Sequence, residues 1–253
     1  LMMRPRRIAV SMSKGGTGKS TTAISLAAGL AAAGSRVLLV DTDTQGQAGP
    51  MLGLQTEQGL AELITGEAAA EDLILPARER LWLLPGGRSM AGLKRLISRK
   101  DYGAERTLAE ALEPLEDGYD FVLLDTAPGW DPVAVNVLFY AQEVLAPVSL
   151  EVLTVQGLRD FSERLTDIQT YNSGLVLRYV LPTFLDGRVK KSQEILQQLE
   201  VYYTDRLCSP VRYSVRLSEA PGYGQTIYEY APSSTGARDY RQLSERILHD
   251  GRP

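Results

Sequence analysis

Short, unbroken apolar runs alternate along this chain with longer stretches of helical period. Runs rich in Val, Ile and Leu at 7–12, 36–40, 81–84, 121–124, 144–147 and 175–181 predict strands. Helix-period stretches at 19–33, 59–64, 90–98, 107–115, 132–140, 154–171, 190–202 and 234–248 predict helices. Strands that are apolar throughout, rather than at every second position, belong to a parallel sheet buried on both faces. Regular alternation of strand and helix then gives an α/β fold: a mostly parallel central sheet with helices on both faces. No Pro/Gly/Ser-rich linker, low-complexity run or internal repeat breaks the pattern, so residues 1–253 read as one domain.

Composition narrows the class without changing that picture. Of 253 residues, 44% are hydrophobic and 23% charged, ordinary globular usage that excludes disordered, collagen-like and coiled-coil chains. Cys208 is the only cysteine and cannot form an internal disulfide. No segment approaches the roughly 18 uninterrupted apolar residues of a membrane span. The basic start is followed by an apolar stretch too short for a secretory signal. The expectation is a soluble, reduced, cytoplasmic protein.

Charge adds one qualification. Twenty-seven Lys plus Arg against 31 Asp plus Glu leave a net −4, which argues against a protein coated in nucleic acid. Residues 88–106, however, hold six basic and two acidic residues, a local +4. A basic face on an acidic body is therefore available, and local potential governs phosphate binding more than net charge does.

The most informative stretch is Ser13-Lys14-Gly15-Gly16-Thr17-Gly18-Lys19-Ser20-Thr21, lying after a strand and opening a helix. Glycines let successive backbone N–H groups turn inward as an anion nest, and the helix N-terminus adds partial positive charge. Lys19 is placed to reach the outer phosphates of a nucleotide and Ser20 to ligate Mg²⁺. Two departures from the usual phosphate loop are Ser13 in place of the first glycine and the additional Lys14. Two further strands end in acids: Asp41-Thr42-Asp43 after RVLLV, and Asp125 after FVLL. Carboxylates at the C-terminal edge of a parallel sheet sit where such folds bind ligands, and Asp125 fits the Walker B role of supporting Mg²⁺.

At this point the sequence resembles the ParA family of partition ATPases, short Soj-like type, which are deviant Walker A P-loop NTPases. KGGTGKSTTAISLAAGLAAAGSRVLLVDTDTQGQA is similar to the family's opening block, YDFVLLDTAPG to its Walker B block, APVSLEVLTVQGL to a strand-to-helix segment and VRLSEAPGYGQTIYEYAPSSTGARDY to its C-terminal block. The resemblance implies ATP and Mg²⁺ as cofactors. It implies a nucleotide site of Lys14, Gly15, Gly16, Thr17, Gly18, Lys19, Ser20 and Thr21, in which Lys14 reaches across a homodimer to the partner's phosphates. Ser20 and Asp125 would hold the metal, and Asp43 would position or activate the attacking water; Asp41 belongs to the site without an assigned role. The family's DxDPQGN pattern departs here at Thr44 and Gln47.

Resemblance also implies the partners. Arg188 in LDGRVKK and Arg216 in SVRLSEAP match arginines associated with non-specific, nucleoid DNA binding, and Lys190 and Lys191 adjoin the first. Only about five residues precede the first strand, so the N-terminal helix-turn-helix domain of longer relatives is not expected. A ParB-like or cargo-adaptor protein would stimulate slow hydrolysis. One cysteine excludes the iron proteins of nitrogenase-like systems, which need paired cysteines for a shared cluster. The alternative is a MinD-like switch on a membrane or protein target. Membrane binding is not expected, because the final helical stretch carries an apolar stripe suited to packing and ends in polar residues. A metabolic P-loop kinase, the third option, would lack Lys14 and the SEAP block.

Overall fold

In the computed structural model, which describes residues 4–87, 89–151 and 155–251, β1 (Arg6–Val10) leads through the glycine loop into α1 (Lys19–Ala32) and β2 (Val37–Asp41). Three short helices follow, α2 (Ala48–Met51), α3 (Leu60–Thr65) and α4 (Ala70–Leu73), then the hairpin β3 (Leu75–Arg78) and β4 (Leu81–Leu84). The chain continues through α5 (Met90–Ser98), α6 (Thr107–Leu112), β5 (Phe121–Asp125), α7 (Pro132–Tyr140), β6 (Glu143–Ser149), α8 (Val155–Gln169) and β7 (Val176–Thr183). It closes with α9 (Lys190–Tyr203), α10 (Val215–Glu219), α11 (Ile227–Tyr230) and α12 (Thr235–Asp250).

The seven strands lie in the order β3-β4-β2-β5-β1-β6-β7, all parallel except the β3–β4 pair. Successive side chains of a strand point to opposite faces, which explains the continuous apolar runs. Ile8 and Val10 pack beneath α1 and α12, whereas Ala9 joins the core under α5 to α9. Helices therefore cover both faces, as the pattern predicts. The apolar stripe of α12, Tyr240, Leu243 and Ile247, is buried in this core. Among the described residues no helix is long and apolar enough to cross a membrane.

The sequence reading misses some elements and shifts others. Strand β3 is a four-residue LPAR whose proline reads as loop; it pairs antiparallel at the sheet edge across a turn where Arg80 has φ 59°. Helices α2, α4, α10 and α11 have four or five residues, too few to display a period. The helix expected over 107–115 tightens to 3-10 geometry at Glu113–Leu115, where Pro114 lacks the N–H that an α-helix needs. Residue 154, expected to open α8, lies outside the described residues.

One glycine fixes how α3 meets the loop beyond β4. A Cβ on Gly59 would lie 1.9 Å from the Pro85 carbonyl oxygen and 3.1 Å from the Gly87 nitrogen. The Leu60 and Ala61 N–H groups donate to the Pro85 and Gly86 carbonyls at 2.7 and 3.1 Å, so the backbone has no room to retreat. Gly59→Ala is expected to destabilise the fold by about 3 kcal/mol through overpacking, read as a lower midpoint in urea at unchanged slope.

Candidate functional site

Residues 11–18 form the loop between β1 and α1. Gly16 and Gly18 take φ of 73° and 86°, the left-handed region that side chains resist. Gly18 is the N-cap of α1 and supplies no side-chain acceptor, so the helix's first N–H groups face outward as an anion-binding end. Lys19 is buried, and its Nζ donates to the Lys14 carbonyl at 2.8 Å, spanning the loop. Burial lowers the Lys19 pKa, while Asp125 and Asp43 pull it back up. Gly15 and Gly16 are exposed on the loop, with Ser20 and Thr21 half-buried in the first helical turn. Lys14 is exposed at the loop surface.

Strand pairing sets the carboxylates. Asp41 and Asp125 are register partners across β2 and β5, at the same level of the carboxyl edge. Thr42 fastens that edge, its N–H and hydroxyl both donating to the Asp125 carbonyl at 2.9 and 2.6 Å. Asp41 has a structural task that the sequence leaves undefined. Its Oδ1 accepts from Asp43 N–H at 3.0 Å and its Oδ2 from Ala48 N–H at 3.1 Å, which fixes both ends of the loop between them. Burial pushes the Asp41 carboxyl up to about 6. Asp43 is half-buried on that loop, its Oδ1 accepting from Gln45 N–H at 3.0 Å.

Asp125 differs. Its two carboxylate oxygens are buried without a hydrogen-bond partner among the described residues, and so is the Thr17 hydroxyl. Burial, then the nearby Asp41, pushes the Asp125 carboxyl up to about 8, against the opposing pull of Ser20 and Lys19. The hydroxyl that acts on Asp125 is that of Ser20. A buried carboxylate with a hydroxyl at hand is a hard-oxygen donor set that suits Mg²⁺, and a divalent ion would supply the positive charge that the Asp41/Asp125 edge calls for. Ser20 and Asp125 are the residues of this pocket whose chemistry is compatible with a bound Mg²⁺.

A cleft of about 190 Å³ adjoins the loop, lined in part by Gly18, Thr21, Thr183, Phe184, Val211 and Leu217. Phe184 has φ 57°, and its ring lies 3.7 Å from where a Gly18 Cβ would be. A non-glycine residue in that region is strained. Nothing in the sequence at the end of β7 points to this cleft, because its walls come from four distant segments, α12 with Tyr240 among them.

The segments that precede Arg188 and Arg216 are paired. Leu185 pairs with Arg212 in a parallel bridge, through Leu185 N–H to Val211 O at 3.1 Å and Tyr213 N–H to Leu185 O at 2.9 Å. The chain segments leading to Arg188 and Arg216 therefore run side by side in one direction. Arg188 is exposed and forks onto Asp186 at 2.9 and 2.8 Å, holding that carboxyl at about 2. Lys190 pairs with Glu194 at 3.7 Å, and Lys191 is exposed beside it. Arg216 donates to Glu219 at 3.0 Å. On the other basic stretch, Lys94 pairs with Asp131 and Lys100 with Glu110, while Arg88 lies outside the described residues.

This architecture and site have relatives. The AAA domain family (AAA_31) matches residues 5–177. The chromosome-partitioning ATPase Soj of Thermus thermophilus is 39% identical over 250 residues, covering 98% of this chain and 97% of that protein. The sporulation initiation inhibitor protein Soj of Bacillus subtilis is 34% identical over 254 residues, covering 96% and 98%. Among solved structures, cobyrinic acid a,c-diamide synthase from Mycobacterium smegmatis with bound ATP analogue and magnesium superposes with a TM-score of 0.85 at 28% identity, covering 97% of this chain and 94% of that one. With the deviant glycine loop, the Asp41/Asp125 edge and 34–39% identity to Soj proteins over nearly the full length together, the chain belongs to the Soj/ParA family of partition ATPases.

Proposed function

We propose that this chain is a Mg²⁺-dependent ATPase that pairs into an ATP-sandwich dimer, binds DNA without sequence preference in that state, and releases it on hydrolysis. The observation that carries the reading is the orphaned Asp125 carboxylate beside a glycine loop that holds one lysine inward, Lys19, and one outward, Lys14. Lys19 and the α1 N-terminus bind the phosphates within the chain. Lys14, exposed on the same loop, reaches a second copy's phosphates. Ser20 and Asp125 would hold Mg²⁺, which would supply charge neutralisation at the phosphate oxygens. Asp43 orients the attacking water, and the base occupies the cleft under Phe184. Phosphoryl transfer depends on positioning and charge neutralisation, so a lysine supplied in trans has the role that an arginine finger has elsewhere. A ParB-like or cargo-adaptor protein stimulates turnover that is slow on its own. In this reading the working site is cytoplasmic, on the nucleoid, the chain is one domain, and the cargo is DNA or a protein assembly.

Two measurements test the proposal. With hydrolysis blocked by Asp43→Ala, light scattering is expected to show a dimer with ATP and Mg²⁺ and a monomer with ADP. Adding Lys14→Ala is expected to leave a monomer in both; equal dimerisation would remove the trans lysine. A salt titration of the ATP-bound dimer on duplex DNA is expected to follow counterion release, with a log–log slope of about −0.9 per phosphate neutralised. Arg216→Ala removes one contact per subunit, so its slope should be shallower by about two. Identical slopes would place the DNA face elsewhere.

A further inference from the structure

The loop beginning at Asp41 and the arm carrying Arg216 meet at one place, and a guanidinium from the edge strand holds both. Arg78 ends β3. Its Nη1 donates to the Leu52 carbonyl at 3.2 Å and to the Ala77 carbonyl at 2.6 Å. Its Nη2 donates to the Gly224 carbonyl at 3.0 Å and to Glu229 Oε2 at 3.0 Å, while Nε donates to Glu229 Oε1 at 2.5 Å. A guanidinium has five N–H donors in a fixed fork, and these bonds engage all of them. Glu229 is itself fixed, because its Oε2 also accepts from Thr226 N–H at 2.8 Å.

Beside this fork, two glycines meet backbone to backbone. A Cβ on Gly224 would lie 2.6 Å from the Gly53 Cα, and one on Gly53 would lie 3.1 Å from the Gly224 oxygen. Both are left-handed, with φ of 74° at Gly53 and 63° at Gly224. Neither side of the contact contains slack. Asp41 holds Ala48 N–H, Leu52 N–H reaches the Ala48 and Gly49 carbonyls at 3.2 and 3.0 Å, and Gly53 N–H reaches Pro50 O at 3.0 Å. Across the contact, Gly224 N–H donates to Pro221 O at 3.0 Å, and Gln225 N–H to Ala220 O at 3.2 Å. The 3-10 turn Ala220–Tyr223 continues directly from α10, where Arg216 sits.

We infer that Arg78 is a positioning residue that joins the loop at Asp43 to the α10 arm, so that the nucleotide bound at one sets the placement of Arg216 on the other. The inference rests on the nucleotide reading above and adds to it a route through named residues. Hydrogen-bonded pieces that abut without a flexible linker move together, and coupling of two sites requires an element that both of them bias. The fork matters more than the charge. Lysine keeps the cation but offers a point charge where Arg78 presents a planar, multiply bonded group.

Hydrogen exchange read by mass spectrometry on the full chain tests this, with ADP·Mg²⁺ or a non-hydrolysable ATP analogue·Mg²⁺, in wild type, Arg78→Lys and Arg78→Gln. Fluorescent-nucleotide affinity is measured in parallel. In wild type, exchange across 41–53 and across 215–224 is expected to differ between the two nucleotides by about fivefold or more. In Arg78→Lys, affinity and the response of 41–53 should stay within about twofold of wild type, while the response of 215–224 should largely vanish. Arg78→Gln should do the same. Retention of the full 215–224 response in both variants overturns the inference. So does a variant that exchanges faster there by the same factor in both nucleotide states, which is what a merely structural contact gives. A wild type that responds at 41–53 but not at 215–224 also overturns it. A flat affinity titration in wild type would instead sink the nucleotide reading, and the inference with it.

Discussion

Lys19→Ala is expected to bind ATP·Mg²⁺ on the order of 100-fold more weakly than wild type, measured by isothermal titration. A charge-assisted hydrogen bond is worth about 1.5–3 kcal/mol, and each 1.4 kcal/mol is a factor of ten in affinity. Lys19 is buried at the loop's floor, where the dielectric is low and its ammonium acts more strongly than it would in water. The same variant should lose the rise in melting temperature that saturating nucleotide gives the wild type, since that rise follows mass action on the folded state. Without nucleotide, its melting temperature should fall only slightly, by the loss of the one hydrogen bond that Nζ donates to the Lys14 carbonyl. Lys14→Ala should leave nucleotide affinity of the single chain unchanged, because Lys14 is exposed and contributes only its carbonyl to the loop. If the two lysines weaken affinity equally, the inward and outward roles assigned to them are wrong.

Asp43→Ala is expected to reduce ATP turnover by about 100-fold or more while ATP affinity stays within a few-fold. A positioned acid or base contributes typically 10²–10⁴ to rate, and Asp43 sits on the loop that Asp41 pins at both ends. Its side chain accepts from Gln45 N–H, so the carboxylate is aimed by its own turn rather than by a distant partner. Steady-state phosphate release gives the rate, and the titration above gives the affinity. A variant that hydrolyses ATP at the wild-type rate would assign water positioning to another group. Asp41→Asn offers a contrast: it can still accept through one oxygen, but it loses one of two backbone anchors, so both affinity and rate should fall as the loop loosens.

The Gly-rich loop and the strand–helix alternation could be read from the chain because both are local. Periodicity records which face of each element is buried, and the run of glycines marks an anion nest before any fold is known, although only the structure shows which of them, Gly16 and Gly18, are left-handed. Lys19, Ser20 and Asp125 could be placed on strand ends and a helix start for the same reason. The short helix α10 could not, since five residues show no period. The edge strand β3 was hidden by Pro76, which is acceptable only because the strand lies at the sheet margin.

By itself, then, the sequence determined the layer architecture, the anion loop and the chemical types around it, all consequences of neighbouring residues. Only the tertiary structure decided the rest. Strand register put Asp41 level with Asp125, and burial left one carboxylate bonded to backbone and the other without a partner. Chain crossings brought Phe184 over Gly18, paired Leu185 with Arg212, and closed Arg78 on Leu52, Gly224 and Glu229. Those facts depend on contacts between residues as much as 172 positions apart, from Leu52 to Gly224, whose meeting no local pattern encodes. Local preference chooses the elements; the burial of their apolar faces against one another chooses which polar groups are left to meet.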